Sequence, residues 1–136
     1  MDVKSREEII KFAQKLNSTN LSPLRSGNIS LKVQNNNEEG FLITPSGKKY
    51  ESLKADDIVF VSLKGKYDEK GLQPSSEWKF HKDIYLKKTD AKAVVHAHSP
   101  HATAVSAHNK DIPAFHYMIA LAGGDNIKCA KYATFG

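Results

Sequence analysis

The segment His96-Ala97-His98 carries the most chemically informative pair of side chains in the sequence. It continues the apolar run Ala93-Val94-Val95, which predicts a β-strand that runs into a polar end. Residues two apart on a strand point to the same face, so both imidazoles can bind one divalent metal ion. Imidazole suits Zn²⁺ and related ions. Two unrelated polar histidines at the end of a strand would give the same pattern, because short motifs also match by chance.

Glu77 is the carboxylate that would complete this pair if the fold brings it close. Two histidines, a carboxylate and an open position form a recognised catalytic metal arrangement. A carboxylate near a metal can also act as a general base when it leaves the coordination sphere. Glu77 follows Pro74-Ser75-Ser76, which is typical of a helix start, so it also fits a first-turn glutamate favoured by the helix dipole. Both roles can hold together.

Three small polar clusters lie between the predicted elements and offer backbone N–H groups and hydroxyls. Together they could bind a phosphate, with Ser75-Ser76 at a helix N-terminus as the strongest part. Taken alone, each cluster is better explained by ordinary turn and cap chemistry, because Ser, Gly and Asn dominate turns. The clusters are Ser26-Gly27-Asn28, Thr44-Pro45-Ser46-Gly47 and Pro74-Ser75-Ser76.

The other candidate side chains have weaker signals, and none of these histidines is assigned as a ligand. His81 lies four residues after Glu77 on the same helical face, so it is either a residue behind the site or a helix-surface histidine. His101 falls in a first helical turn near the metal pair, and His108 is expected to face solvent. Tyr117 can donate a proton. On spacing alone, a tyrosine is more often a packed aromatic with a wet hydroxyl.

The elements that must position these residues are mixed helices and strands. An apolar stripe predicts a first helix over about Arg6 to Leu16, with a Ser5 and Glu8 capping box. Further helices should start near Pro74–Glu77 and at Ser99-Pro100. This mixture predicts a layered α/β domain with a largely antiparallel sheet. The predicted strands cover Ile29–Val33, Phe41–Ile43, Ile58–Leu63, a short weak segment near Lys66-Tyr67, and Ala93–His98. The turn signals Asn35-Asn36-Asn37 and Gly40 predict a hairpin between the first two strands.

Length and composition bound the class of protein. The 136 residues, 40% hydrophobic and 26% charged, predict a single globular domain over residues 1–136. The net charge of +5 is scattered, which fits a solvated basic surface or a field that attracts an anionic substrate, and predicts no nucleic-acid partner. The single cysteine, Cys129, excludes an internal disulfide and favours a reducing compartment. Without a signal-like or membrane-spanning run, we expect a cytoplasmic protein with no membrane partner.

Seven stretches, in order and at family spacing, resemble the class II aldolase/adducin family over nearly the whole chain. The resemblance implies a central, mainly antiparallel sheet flanked by helices, assembled as a homotetramer with its sites at subunit interfaces. Glu77 after Pro-Ser-Ser fits the aldolase branch, whereas the related epimerases typically carry Asp there. The stretches are Ser26–Ser30, Leu42–Gly47, Pro74–Trp78, Val94–His98, His101–Val105, Ile112–Ala120 and Tyr132–Gly136.

The resemblance also implies roles for single residues. His96 and His98 would bind one Zn²⁺ per subunit, and Glu77 would be the catalytic acid/base and a zinc ligand in the resting state. Tyr117 would assist at the aldehyde end from a neighbouring subunit. The substrate phosphate would be held by Gly27, Asn28, Ser46, Gly47, Ser75 and Ser76.

The reaction implied is aldol cleavage of a ketose 1-phosphate, such as L-fuculose 1-phosphate, to dihydroxyacetone phosphate and L-lactaldehyde. The alternatives are a pentulose-phosphate 4-epimerase, a methylthioribulose-phosphate dehydratase and a non-catalytic adducin-like domain. The small-molecule sugar phosphate is therefore the expected partner.

One departure from the family pattern concerns the C-terminal side. The family supplies a third zinc histidine, in a His-His-Gly segment, and a further tyrosine beyond the position that matches Gly136. No histidine follows His116 in this sequence. We therefore expect a C-terminally truncated family fold, either a fragment or a shortened protein with a weakened site. Its sheet would have an unprotected edge.

Overall fold

A four-stranded antiparallel sheet forms the centre of the computed structural model, which describes residues 3–134, apart from the side chain of Arg25. The strand order is β3-β2-β1-β4, so β1 is central and pairs on both sides. The prediction of a layered α/β domain with an antiparallel sheet is confirmed. The strands are β1 Asn28–Asn35, β2 Glu38–Ile43, β3 Val59–Ser62 and β4 Ala93–His96.

A tight turn joins β1 to β2. Asn36 and Asn37 both adopt positive φ, at 45° and 63°, which is the backbone that a type I′ hairpin turn requires and that asparagine tolerates. The predicted hairpin is therefore present. Its register places Ser30 opposite Ile43, and the second register of β1 places Asn28 opposite His96.

Helix α1, Val3–Ser18, covers one face of the sheet. Its buried residues Ile9, Ala13 and Leu16 pack against Ile29 and Leu42 of the strands. The helix begins two residues before Ser5, so Ser5 lies inside the helix and the predicted capping box is wrong.

Helix α2, Trp78–Lys87, covers the opposite face. Its Tyr85 is 1% exposed and packs on Phe41, with ring centroids 5.4 Å apart. Because side chains alternate along a strand, Asn28 and Ser30 of β1 point toward α2. A polar pair at the start of the central strand is thereby placed under the helix that follows Glu77.

Three expectations about the strands need correction. β3 spans Val59–Ser62 and is shorter than predicted. Lys66-Tyr67 forms no strand, because the backbone of Ser62 and Lys66 closes a turn at Gly65, where φ is 81°. β4 ends at His96, so His98 lies just beyond the strand rather than on it.

The C-terminal part of the described chain packs less tightly. Helix α3, Pro100–Ser106, begins where Ser99-Pro100 predicts and buries no residue. A bridge between Ile112 and Ile127 ties the following segments, and Tyr117–Ala122 forms a 3-10 turn. Within residues 3–134, no helix is long and apolar enough to cross a bilayer. Phe135 and Gly136, which end the last matching stretch, lie outside the described residues.

Candidate functional site

Three elements meet where β1 begins, β4 ends and α2 starts. Asn28 and His96 are paired neighbours on β1 and β4, and Glu77 is the N-cap of α2. Asn28 Nδ2 donates a 2.8 Å hydrogen bond to Glu77 Oε2, and His96 Nδ1 lies 2.9 Å from the same oxygen. Sheet register and helix start thus bring a carboxylate, an amide and an imidazole to one point.

The loop after β4 holds the second histidine beside the first. The ring centroids of His96 and His98 are 4.6 Å apart. The backbone N–H of His98 donates to Ser22 Oγ at 3.3 Å, and Ser22 is fully buried. The structure therefore brings Glu77, His96 and His98 together, although only His96 is on the strand.

The environment of His96 bears on metal binding. Its Nδ1 atom is buried and forms no hydrogen bond, because the nearby Glu77 oxygen is not aligned with it. An unpaired buried nitrogen next to a carboxylate oxygen is the arrangement expected where a cation binds between them. Burial lowers the pKa of His96, against the raising effect of Glu77. The ring is therefore held in the neutral form that ligates metals.

The donor set has the chemistry of a zinc-class site but is not a complete one. No three His, Cys, Asp or Glu side chains among residues 3–134 converge closely enough to hold a metal ion by themselves. Two imidazoles and a carboxylate are the ligand types that Zn²⁺ prefers. Glu77, His96 and His98 therefore fit the ion, with at least one change of position or further ligand required on binding.

A cavity of about 350 Å³ opens beside Glu77 and His98. Its wall combines hydroxyls with backbone amides at glycines, which is the lining that a phosphate group needs. All six residues predicted to hold a phosphate lie on this wall: Gly27, Asn28, Ser46, Gly47, Ser75 and Ser76.

Backbone hydrogen bonds hold two of the three polar clusters against each other. Ser75 N donates to Thr44 O at 3.0 Å, and Ser46 N donates to Gln73 O at 2.9 Å. Gly47 adopts φ of 75°, and no atom lies within 4 Å of where its Cβ would be. This positive φ is a backbone conformation that favours glycine, so Gly47 gives the loop its shape at the cavity wall.

Lys48 is a lining residue that the sequence analysis did not single out. Its Nζ lies 2.5 Å from Asp57 Oδ1, and this contact lowers the pKa of the Asp57 carboxyl. Of the described residues on the cavity wall, Lys48 is the one lysine or arginine. Its position directly after the Thr-Pro-Ser-Gly cluster was the available signal.

Other candidates lie elsewhere. Tyr117 does not line the cavity: it is 80% exposed and lies against His116, with ring centroids 4.4 Å apart. His101 and His108 are exposed. His81, for which two interpretations were open, is completely buried behind the site.

Gly27 supports the site through close packing. A Cβ at this position would clash with the backbone oxygen of His96 and lie 2.5 Å from Ser22 Oγ. We expect Gly27→Ala to lower the free energy of unfolding by about 1–3 kcal/mol, the usual effect of overpacking. Urea unfolding measures this loss. Gly124→Ala is the matched control, because the nearest atom to its Cβ would be 3.8 Å away. Equal stability of the two variants would contradict the packing argument.

Comparison with known proteins places this geometry in a family context. Residues 7–136 match the family model described as Class II Aldolase and Adducin N-terminal domain. The chain is 48% identical to the L-fuculose phosphate aldolase of Escherichia coli (strain K12), covering 98% of this chain and 60% of that protein. It is 44% identical to a 5-methylthioribulose-1-phosphate/5-deoxyribulose-1-phosphate aldolase of Escherichia coli O45:K1 (strain S88 / ExPEC), covering 98% and 61%.

Solved structures give the same picture. A structure described as L-fuculose 1-phosphate aldolase superposes with a TM-score of 0.90 at 36% identity, covering 99% of this chain and 62% of the other. The L-fuculose-1-phosphate aldolase from Thermus thermophilus gives a TM-score of 0.69 at 28% identity, covering 85% and 55%. The chain thus spans about 60% of the length of the curated relatives that it matches.

Proposed function

The chain belongs to the class II aldolase and adducin family, and we propose that it performs metal-dependent aldol cleavage of a ketose 1-phosphate. The observation that carries this proposal is the meeting of Glu77 and His96, 2.9 Å apart, beside a cavity of about 350 Å³ lined by hydroxyls and backbone amides. A carboxylate with imidazoles and a neighbouring pocket with hydroxyls and a lysine suit the functional groups of a phosphorylated sugar.

The cavity binds and orients the substrate. Ser76, Ser46 and Gly47, which line the cavity, would lie around the phosphate group, and Lys48 would add positive charge on turning from Asp57. Fixing the phosphate holds the carbon chain with its carbonyl near His96 and Glu77, which converts proton transfer into a step between positioned groups.

Glu77, His96 and His98 would hold the metal ion, which we propose to be one Zn²⁺ per subunit. A bound Zn²⁺ would act as a Lewis acid that stabilises the negative charge developing on the substrate carbonyl. Imidazole nitrogens suit this task because they are among the ligands that Zn²⁺ prefers.

Glu77 moves the proton. In the condensation direction its carboxylate takes a proton from the carbon next to the ketone of dihydroxyacetone phosphate, and in cleavage it returns that proton. The hydrogen bond from Asn28 Nδ2 to Glu77 Oε2 fixes the plane of the carboxylate. The other oxygen, Oε1, is the one we propose for proton transfer.

L-fuculose 1-phosphate is the proposed substrate, with dihydroxyacetone phosphate and L-lactaldehyde as products. The support is the 48% identity to a protein described by that activity. The 44% identity to a 5-methylthioribulose-1-phosphate/5-deoxyribulose-1-phosphate aldolase favours a 5-deoxypentulose 1-phosphate as the second candidate. Both would use the same phosphate and metal ends, so the aldehyde end distinguishes them.

We also propose a homotetramer in which Tyr117 reaches the aldehyde end of a neighbouring subunit's site. Its exposure supports this role, as does that of Phe115 and Leu121, which are 74% and 77% exposed. A free surface this rich in large apolar groups is typical of an interface.

The direct test is cleavage of L-fuculose 1-phosphate by the zinc-loaded protein. Dihydroxyacetone phosphate is measured through its enzymatic reduction with NADH, and the aldehyde is identified separately. Release of dihydroxyacetone phosphate in equal amount to L-lactaldehyde supports the proposal. A 4-epimer, a dehydrated ketone or no stoichiometric zinc would instead favour the epimerase, the dehydratase or the adducin-like alternative.

The phosphate pocket makes a separate prediction. Lys48→Met should raise the KM for the sugar phosphate about tenfold or more, because a charge-assisted hydrogen bond contributes ~1.5–3 kcal/mol. The substitution also leaves the negative charge of Asp57 without its lysine partner. Steady-state kinetics measures the change. Lys64→Met, at an exposed lysine outside the cavity, is the matched control. An unchanged KM in Lys48→Met would remove Lys48 from the phosphate site.

A further inference from the structure

A chain of four hydrogen bonds runs from Glu77 into the core between the sheet and α2. It starts at Glu77 Oε2, which accepts from Asn28 Nδ2 at 2.8 Å. Asn28 Oδ1 lies 2.5 Å from His81 Nε2, and His81 Nδ1 lies 2.7 Å from Ser30 Oγ. Ser30 Oγ lies 2.8 Å from the hydroxyl of Tyr85. The four residues behind Glu77 are 0–4% exposed.

The chain has one consistent direction. Burial and the nearby His96 lower the pKa of His81 to about 3, so its ring is neutral and carries one N–H. Burial raises the pKa of Tyr85 to about 12, so its hydroxyl keeps its proton and can donate to Ser30. The Glu77 carboxylate at the other end only accepts, and this sets the direction of the whole chain. Ser30 can then donate to His81 Nδ1, and the Nε2–H of His81 donates to Asn28 Oδ1.

This direction decides which way the Asn28 amide faces. With Oδ1 bound to the His81 N–H, Nδ2 must point at Glu77. A flipped amide would set an oxygen against the Glu77 carboxylate and an NH₂ against the His81 N–H, losing both hydrogen bonds. Burying these polar groups is costly unless each is paired. Reversing one hydrogen bond would therefore require the others to reverse as well.

We propose that His81 is a positioning residue for catalysis: its Nε2–H fixes the Asn28 amide, and the amide fixes the Glu77 carboxylate for proton transfer. The inference rests on the proposed function, since it assigns His81 to the same proton-transfer step. His81 touches neither substrate nor metal in this arrangement and acts through Asn28.

Two substitutions separate this role from simple packing. His81→Phe fills the same space without a donor, while His81→Gln restores an N–H toward Asn28 and an acceptor toward Ser30. Displacing a catalytic group by about 1 Å costs on the order of 100-fold in rate. We expect His81→Phe to lower kcat about 10- to 100-fold with KM for the sugar phosphate changed less than about threefold, and His81→Gln to recover most of kcat. His108→Phe, the same change at an exposed histidine, is the control.

A spectroscopic measurement reads the arrangement without any turnover. The ¹⁵N shifts of His81 should show the neutral Nε2–H tautomer at about pH 6–8, where a ring with so low a pKa carries one proton. Tyr85→Phe should leave that tautomer in place while shifting the Nδ1 resonance. The protonated ring or the Nδ1–H tautomer would overturn the proposal. If His81→Phe fails to fold, the tautomer measurement on the wild-type protein decides the question.

The two proposals fail in different ways. Wild-type protein that holds zinc but cleaves no sugar phosphate contradicts the proposed function, whatever the tautomer. An active wild type whose His81→Phe variant keeps its kcat contradicts the positioning role alone. An equal loss of kcat in His81→Phe and His81→Gln would show that the ring packs rather than positions, and also overturns it.

Discussion

Replacing His96 or His98 by alanine should remove bound divalent metal and aldol cleavage together. In the proposed site each ring would supply one nitrogen, and Glu77 would be the third protein donor among residues 3–134. Loss of groups that merely support a ligand costs about 10- to 100-fold in metal affinity, so loss of a ligand should cost more than about 100-fold. Metal analysis after dialysis and the cleavage assay measure the two losses on the same samples.

The matched control is His108→Ala, which removes an exposed histidine just after the end of α3. It should keep stoichiometric zinc and full activity. The substitution at His98 is expected to disturb the packing less, because His98 is exposed. His96 is half-buried and contacts Phe80 edge-on, with ring centroids 5.2 Å apart. Zinc retained at one ion per chain in both variants would contradict the metal assignment.

Local patterns predicted most of the sheet, because apolar–polar alternation and short apolar runs can both be recognised within a few residues of sequence. Ile29, Leu42 and Phe41 lie on the predicted strands, and the asparagines at 36 and 37 predicted the turn that joins them. The ends were harder. Ser5 has capping-box spacing but lies within α1, because the start of a helix depends on what precedes it as well as on the cap.

The site, too, was predictable from local sequence only in part. Spacing alone put His96 and His98 on one face, and the structure keeps them adjacent even though β4 ends between them. That Glu77 would join them depends on how the start of α2 packs against β1 and β4, which no local pattern determines. Only the family resemblance implied that Glu77 lies beside the two histidines.

The burial of His81 could not be predicted from the sequence. Its spacing from Glu77 fits a surface position as well as an interior one, and only the packing of α2 on Ser30 and Asn28 decides between them. Lys48 was missed for a related reason: its importance comes from the Asp57 contact and the shape of the cavity, both of which are tertiary.

Glu77→Gln should stop proton exchange while leaving the phosphate pocket intact. The amide keeps the size of the carboxylate but cannot accept the substrate proton, and a positioned general base contributes about 10²- to 10⁴-fold. We expect the exchange of the C3 proton of dihydroxyacetone phosphate with deuterated water to slow by that factor, as followed by NMR. Inhibition by inorganic phosphate should be unchanged, because the lining residues Ser46, Ser76 and Lys48 are untouched.

Because Glu77 is also a candidate metal ligand, the exchange must be measured at saturating zinc with the bound metal counted. If added zinc restores exchange in Glu77→Gln to the wild-type rate, Glu77 serves only to hold the ion. If exchange stays slow with zinc bound, the missing group is the base. Glu69→Gln, at an exposed glutamate outside the cavity, should match the wild type throughout. The Asn28 amide can also hydrogen-bond to the amide oxygen of the substituted side chain in Glu77→Gln. Slow proton exchange with zinc bound at the wild-type level would therefore show that an oriented side chain without a base is insufficient.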